Sequence, residues 1–261
     1  MKIDFEKWHG NGNDFVIINS LQKNIKINRP FIKKMADRNK GIGFDQLILI
    51  APPTKYNQDF LIRFFNGGDG SEAGMCLNGV RCASKYIWKN SFAPRKDIYI
   101  QTKTRNLSCN LNKKNMVSIL VGRPSYQSNK KIIDIVKKKV GCKSFISNIG
   151  NNHLFLNMKS IQQIDLLELS KRLKSVLMNS NFNLSIYSKT KKGFEIRTFE
   201  NGVGETLSCG SASLCLASKF IHTKESIVVK SFGGELKFRP YNDGILMIGP
   251  AEFIYKGNIN E

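Results

Sequence analysis

The sequence predicts an α+β protein of two similar domains. Three observations carry that expectation: strand-like segments outnumber helical ones, 261 residues are enough for two domains of ordinary size, and one short motif occurs twice, about half a chain apart. In chain order the first strands are Asp14 to Asn19, Gln46 to Ile50, Asp59 to Phe65, Asp97 to Thr102 and Met116 to Val121, each rich in β-branched or aromatic residues. After a break at Gly122-Arg123-Pro124 come His153 to Asn157, Leu184 to Ser188, Phe194 to Phe199, Ser226 to Phe232 and Ile245 to Ile248. Gly233-Gly234 reads as a hairpin turn between strands. A helix over Pro30 to Arg38 begins with proline in its first turn. Lys137-Lys138-Lys139 ends a second helical pattern, where cations suit the macrodipole. Asp165-Leu166-Leu167-Glu168 has the form of a capping box, and the apolar face behind it continues through Leu169, Leu173 and Val176 as one helix.

The composition, 41% apolar, is that of a globular chain with a proper core. The opening Met1-Lys2-Ile3-Asp4-Phe5-Glu6-Lys7-Trp8 alternates charged with apolar residues and lacks the apolar core of a secretion signal. No apolar run approaches bilayer length, so a soluble cytoplasmic protein is expected. Six widely spaced cysteines point to thiols in a reducing compartment. The net charge of +21 would suit a polyanionic partner. The lysines are scattered among Asn and Ile, however, and there is no nucleic-acid-binding signature, so a basic nucleic-acid-binding protein is the distant alternative.

The repeat is the most informative feature. Cys76-Leu77-Asn78-Gly79-Val80-Arg81-Cys82 is followed by Ala83-Ser84-Lys85-Tyr86-Ile87, and Cys209-Gly210-Ser211-Ala212-Ser213-Leu214-Cys215 by Leu216 and Ala217-Ser218-Lys219-Phe220-Ile221. The leading cysteines are 133 residues apart; Glu72 and Glu205 lie four residues before them, with an arginine-bearing strand before that. Each copy passes from a turn-rich segment through cysteine into a helical pattern, so each sulfur is expected beside a helix N-terminus. Free N–H groups and the positive end of the dipole there lower a thiol's pKa and can bind a carboxylate. Inverting an α-carbon needs a base on one face and an acid on the other, and a thiolate and thiol supply both. Each sulfur would lie roughly 3–3.5 Å from the carbon. A thioredoxin-type redox pair does not fit cysteines this far apart in sequence. Cys82, Cys109, Cys142 and Cys215 read as packing residues.

At these residues the chain resembles the diaminopimelate epimerase family over nearly its whole length. The resemblance runs through Trp8-His9-Gly10-Asn11-Gly12-Asn13-Asp14-Phe15, Gly41-Ile42-Gly43-Phe44-Asp45-Gln46, Phe65-Asn66 with Asp69-Gly70-Ser71-Glu72, both cysteine motifs, Gly150-Asn151-Asn152-His153 and Gly204-Glu205-Thr206. It implies two pseudo-symmetric domains, each a curved, mostly antiparallel sheet or barrel around a central helix. The closing Gly249-Pro250-Ala251-Glu252-Phe253 implies that residues 250–261 return to a first domain of residues 1–121, leaving 122–249 as the second.

The resemblance implies Cys76, Cys209, Glu200 and His153 as catalytic groups. For substrate binding it implies Asn13, Gln46, Asn66, Leu77, Asn78, Asn151, Asn183, Asn201, Gly210 and Ser211. Leu77-Asn78 and Gly210-Ser211 would act through their backbones. No cofactor and no metal are expected. The implied partner is a small-molecule amino-acid substrate, with neither nucleic acid nor membrane; a homodimer is the one assembly left open. The implied activity is interconversion of LL- and meso-diaminopimelate, a step of lysine and peptidoglycan biosynthesis. Five departures bear on the substrate. Asn201 stands where the family has an arginine on the distal carboxylate, and an amide lacks that charged bidentate grip. Leu77 and Ala212 replace glycines, Asn152 replaces a proline, and Gly67-Gly68 carries one extra glycine. A racemase for another amino acid on the same scaffold is therefore the alternative reading.

Overall fold

The segment Phe15-Val16-Ile17-Ile18 is buried at every position, as is Leu47-Ile48-Leu49-Ile50. A strand exposed on one face would alternate; continuous burial requires a sheet covered on both sides. The computed structural model, which describes residues 2–23, 25–221 and 225–260, supplies both covers in each of two compact units. The first unit is residues 1–121 with 248–261 and the second is 122–247.

In chain order the first unit holds β1 (Lys2–Gly10), β2 (Asn13–Asn19), α1 (Arg29–Ala36), β3 (Gln46–Ala51), β4 (Phe60–Asn66), β5 (Glu72–Ala73), α2 (Leu77–Lys89), β6 (Asp97–Gln101), β7 (Asn106–Leu111) and β8 (Val117–Gly122). The second holds β9 (Ser125–Gln127), α3 (Lys130–Val140), β10 (Lys143–Asn148), β11 (Asn152–Asn157), α4 (Leu166–Arg172), α5 (Lys174–Ser180), β12 (Phe182–Lys189), β13 (Gly193–Glu200), β14 (Gly204–Thr206), α6 (Gly210–Phe220), β15 (Ile227–Ser231), β16 (Gly234–Tyr241) and the start of β17 (Gly244–Gly249). The chain then returns to the first unit as β18 (Glu252–Asn260).

Strand pairing repeats between the units. In the first, β1–β2 is antiparallel, β2–β3 parallel, β3–β4 antiparallel, β4–β6 parallel and β6–β7 antiparallel. In the second, β10–β11, β11–β12, β12–β13, β13–β15 and β15–β16 follow the same sequence of directions. The chain is thus α+β, with mostly antiparallel pairs and few helices. Helix α2 packs against β1, β2, β3, β4 and β7 and fills the inner side of its sheet, while α6 packs on β13, β15 and β16. On the outer side, Ile32 and Met35 of α1 join Val16, Ile18, Leu47 and Leu49. In the second unit Ile132 and Val136 of α3 join residues of α4 and α5 against Leu154, Leu156, Leu184 and Ile186. Side chains alternate across a strand. Asn13, Phe15, Gln46 and Asn66 therefore fall on the α2 side, and His153, Phe155, Asn183 and Ser185 on the α6 side.

Two expected helices end differently. The first stops at Ala36 because Asp37 leaves the helix and accepts N–H bonds from Asn39 and Lys40. Arg38, outside the helix, then reaches both Asp14 and Asp45. The helix opened by Asp165 is two helices: Leu173 ends α4 and starts α5 at φ −98°, ψ 10°. Leu173, Val176 and Leu177 lie in one core with Leu166 and Leu169 on either side of the break. Only half of the capping box forms, with Asp165 accepting from the Glu168 N–H at 2.9 Å while the Glu168 carboxylate pairs with Lys171. Among the described residues no helix is long and apolar enough to cross a bilayer.

Candidate active site

In the first unit Cys76 is the N-cap of α2, with extended backbone and no side-chain capping bond. Gly79 follows in the first turn because an added Cβ would lie 2.6 Å from the Phe64 ring and 3.1 Å from the Phe15 ring. The helix start is thereby pressed onto β2 and β4. The Cys76 thiol donates to Asn13 Oδ1 at 3.4 Å, and Asn78 Nδ2 donates to the same oxygen at 3.4 Å. Asn13 is oriented from behind, since its Nδ2 donates to Asp45 at 2.7 Å. Asp45 and Asp14 share Arg38, and Lys7 bonds to Asp14 and to the Gly43 carbonyl. Burial works to raise the Asp14 pKa, but hydrogen bonds from Arg38 and Lys7 outweigh it and hold the carboxyl at about 2. Gln46 Nε2 donates to Asn66 Oδ1 at 2.9 Å, and Asn66 Nδ2 to Ser71. Gln46 Oε1 is buried without a partner among the described residues. The Leu77 side chain is buried, so the larger residue is absorbed by packing.

The second unit repeats the plan with different polar partners. Cys209 is the N-cap of α6, again without a side-chain capping bond, and its sulfur lies 3.3 Å from Ser211 Oγ. Asn151 Nδ2 donates to that hydroxyl at 3.4 Å. Asn152, in place of proline, accepts from Asn148 Nδ2 at 2.7 Å, and the chain enters β11 there. His153 is opposite Asn183 in the β11–β12 register. It is fully buried, and neither ring nitrogen has a hydrogen-bond partner among the described residues. Burial lowers its pKa to about 4, so the ring is neutral at pH 7. Asn183 Oδ1 accepts the Asn201 N–H at 2.9 Å, which fixes the turn after β13; the Asn201 side chain itself is exposed. Thr206 donates to Glu200 Oε1 at 2.7 Å.

The two arginine–glutamate pairs foreshadowed by the repeat both form and both are bidentate. Arg63 meets Glu72 at 2.8 and 3.2 Å, and Arg197 meets Glu205 at 2.7 and 2.9 Å. Each ties the strand before the central helix to the short strand leading into its cysteine. The sequence reading missed Lys7, Asp14, Arg38 and Asp45 as the support of Asn13. It also gave no role to Arg81, whose place in the second copy is taken by Leu214. Among the described residues no cluster of three or more His, Cys, Asp or Glu is placed to hold a metal ion.

Comparison with known proteins bears on this arrangement. The family model described as diaminopimelate epimerase matches residues 5–127 and 145–254. A diaminopimelate epimerase of Buchnera aphidicola subsp. Acyrthosiphon pisum (strain 5A) is 30% identical, over 99% of this chain and 96% of its own length. One from Coxiella burnetii (strain Dugway 5J108-111) is 30% identical, over 98% and 99% respectively. Among solved structures, a phenazine biosynthesis protein of the PhzF family from Enterococcus faecalis superposes with a TM-score of 0.74 at 15% identity, covering 100% of both chains; it shares the fold. Fold and relatives together define an isomerase, specifically an amino-acid epimerase. The chain belongs to the diaminopimelate epimerase family.

Proposed function

We propose that this epimerase interconverts LL- and meso-diaminopimelate by a two-base exchange between Cys76 and Cys209. The observation that carries the reading is that each central helix opens at a cysteine with polar partners at its sulfur, Asn13 in one unit and Ser211 in the other. A helix start also offers backbone N–H groups that have no intrahelical acceptor, and these suit the substrate's reacting carboxylate. One cysteine, as thiolate, takes the α-proton. The C–H electron pair stays on the carbon and spreads into the carboxylate, and the other cysteine, as thiol, delivers a proton to the opposite face. No electrons are gained or lost overall, and the roles exchange in the reverse direction. Neutral His153 can donate from one nitrogen and accept at the other; with Glu200 it serves the α-ammonium and carboxylate region. Asn66, Asn183 and Gln46 supply amide contacts along the substrate.

A second reading, a racemase for a monocarboxylate amino acid, is favoured by one observation: Asn201 is exposed and cannot supply a guanidinium to a distal carboxylate. Incubation in D₂O with LL- and meso-diaminopimelate, lysine, ornithine, arginine and histidine, followed by mass, separates the two. Deuteration confined to diaminopimelate is expected; deuteration of a monocarboxylate alone would replace the first reading with the second. Cys76→Ala and Cys209→Ala should each lower epimerisation by about 10²- to 10⁴-fold. Cys109→Ala and Cys215→Ala should stay near wild type. Full turnover by either Cys76→Ala or Cys209→Ala would sink the two-base mechanism.

A further inference from the structure

Arg81 is fully buried in α2. Its Nη2 donates to Asn11 Oδ1 at 2.8 Å and its Nε to the Pro250 carbonyl at 3.0 Å, while Nη1 has no hydrogen-bond partner among the described residues. A buried guanidinium normally sits against a carboxylate, because an uncompensated interior charge is costly. Among the described residues no carboxylate is hydrogen-bonded to it or ion-paired with it. Complete burial lowers its pKa to about 10, and the opposing influences come only from two thiols, Cys82 and Cys76. Burial pushes the Cys82 thiol well up, so Cys82 stays neutral. The other charged groups acting on Cys82 are Lys85 and Glu252. Glu252 lies 3.4 Å from His9, and both are partly open to solvent.

The same guanidinium also holds the hairpin over the helix start. A Cβ on Gly10 would lie 3.1 Å from Arg81 Nη2 and 3.2 Å from the Asn78 carbonyl, so β1 ends directly against the first turns of α2. Asn11 and Gly12 turn the chain at φ 56° and 82°, and the next residue, Asn13, is the one bonded to Cys76. In the second copy of the motif this position is Leu214, which carries no charge.

We propose that Arg81 is a positioning residue that supplies the counter-charge for a Cys76 thiolate and, through Asn11, sets Asn13 over the sulfur, so that Cys76 rather than Cys209 is the base in the resting enzyme. The inference rests on the two-cysteine reading above but is tested apart from it. Alkylation by iodoacetamide across pH 5–10, with each cysteine followed by peptide mapping, gives the titration midpoint of Cys76 and of Cys209. In the wild type the Cys76 midpoint falls below that of Cys209. Arg81→Met raises the Cys76 midpoint by about one unit, which slows its alkylation at pH 7 by about tenfold. Arg81→Lys restores most of the difference. A purely structural Arg81 would lower thermal stability without moving the midpoint. A folded Arg81→Met with an unshifted Cys76 profile, or a wild type in which Cys209 titrates first, overturns the proposal. Should Arg81→Met not fold, Arg81→Lys decides: a Cys76 midpoint raised to the ordinary thiol range despite the retained charge overturns it. Absence of α-deuteration by the wild type would instead refute the epimerase reading and leave the thiol titration to stand alone.

Discussion

His153 shows how one side chain can couple folding to pH. Its ring is neutral when folded, with a pKa lowered by burial from 6.5 to about 4. Between those values the unfolded chain binds the proton and the folded chain does not. The stabilisation is therefore complete above pH 6.5 and is lost as pH falls toward 4. A displacement of this size corresponds to about 3 kcal/mol. Urea unfolding of wild type and His153→Leu at pH 7 and pH 4.5 should show the wild type losing more stability by an amount of that order; parallel losses would mean the ring is hydrated or paired in the folded state. Gly79 makes a steric counterpart. Gly79→Ala would press a methyl group into the buried Phe64 and Phe15 rings, at a cost of about 1–3 kcal/mol measured by thermal unfolding. The shift should also lower turnover, because Cys76 rides on the same turn.

At the level of elements, the paired arginines test how far the two halves are equivalent. Arg63–Glu72 and Arg197–Glu205 have the same bidentate form, yet the Arg63 side chain is 41% exposed and that of Arg197 8%. Arg197 also donates to the Ile161 and Ile164 carbonyls, which tie the loop before α4 to β13. Arg63→Ala should then cost about 1 kcal/mol or less. Arg197→Ala should cost about 3 kcal/mol, since it strands two carbonyls and a half-buried carboxylate. Equal losses by chemical denaturation would show that burial does not distinguish the pairs. The asymmetry at Arg81 and Leu214 follows the same logic: the repeated topology is kept while charge is placed in one copy.

For the molecule as a whole, a two-base mechanism requires both cysteines to address one carbon. Mild oxidation is expected to join Cys76 to Cys209 and abolish activity, with dithiothreitol restoring it. Peptide mapping that recovers only other disulfides from the inactive protein would count against a shared site.

Much of this protein was written in local patterns. Stretches such as Gln46 to Ile50 and Leu184 to Ser188 read as strands because β-branched and aromatic residues suit a pleated backbone whatever they pair with. The repeated cysteine motif was visible because both copies keep their helix-start chemistry within a dozen residues. What pairing and burial add was hidden. The first strand, Lys2–Gly10, looks like a charged segment until β18 pairs along it and Glu6 and Lys7 find Trp8, Lys89 and Asp14. The early end of α1 at Ala36 comes from Asp37 competing for backbone donors, which leaves no mark in apolar spacing. Arg81 carries the same lesson at the site. In the sequence it is one of 41 basic residues, and a cation's meaning depends on the dielectric around it and the groups within reach. Those are set by contacts with Asn11 and Pro250, 70 and 169 positions away along the chain, which local sequence does not encode.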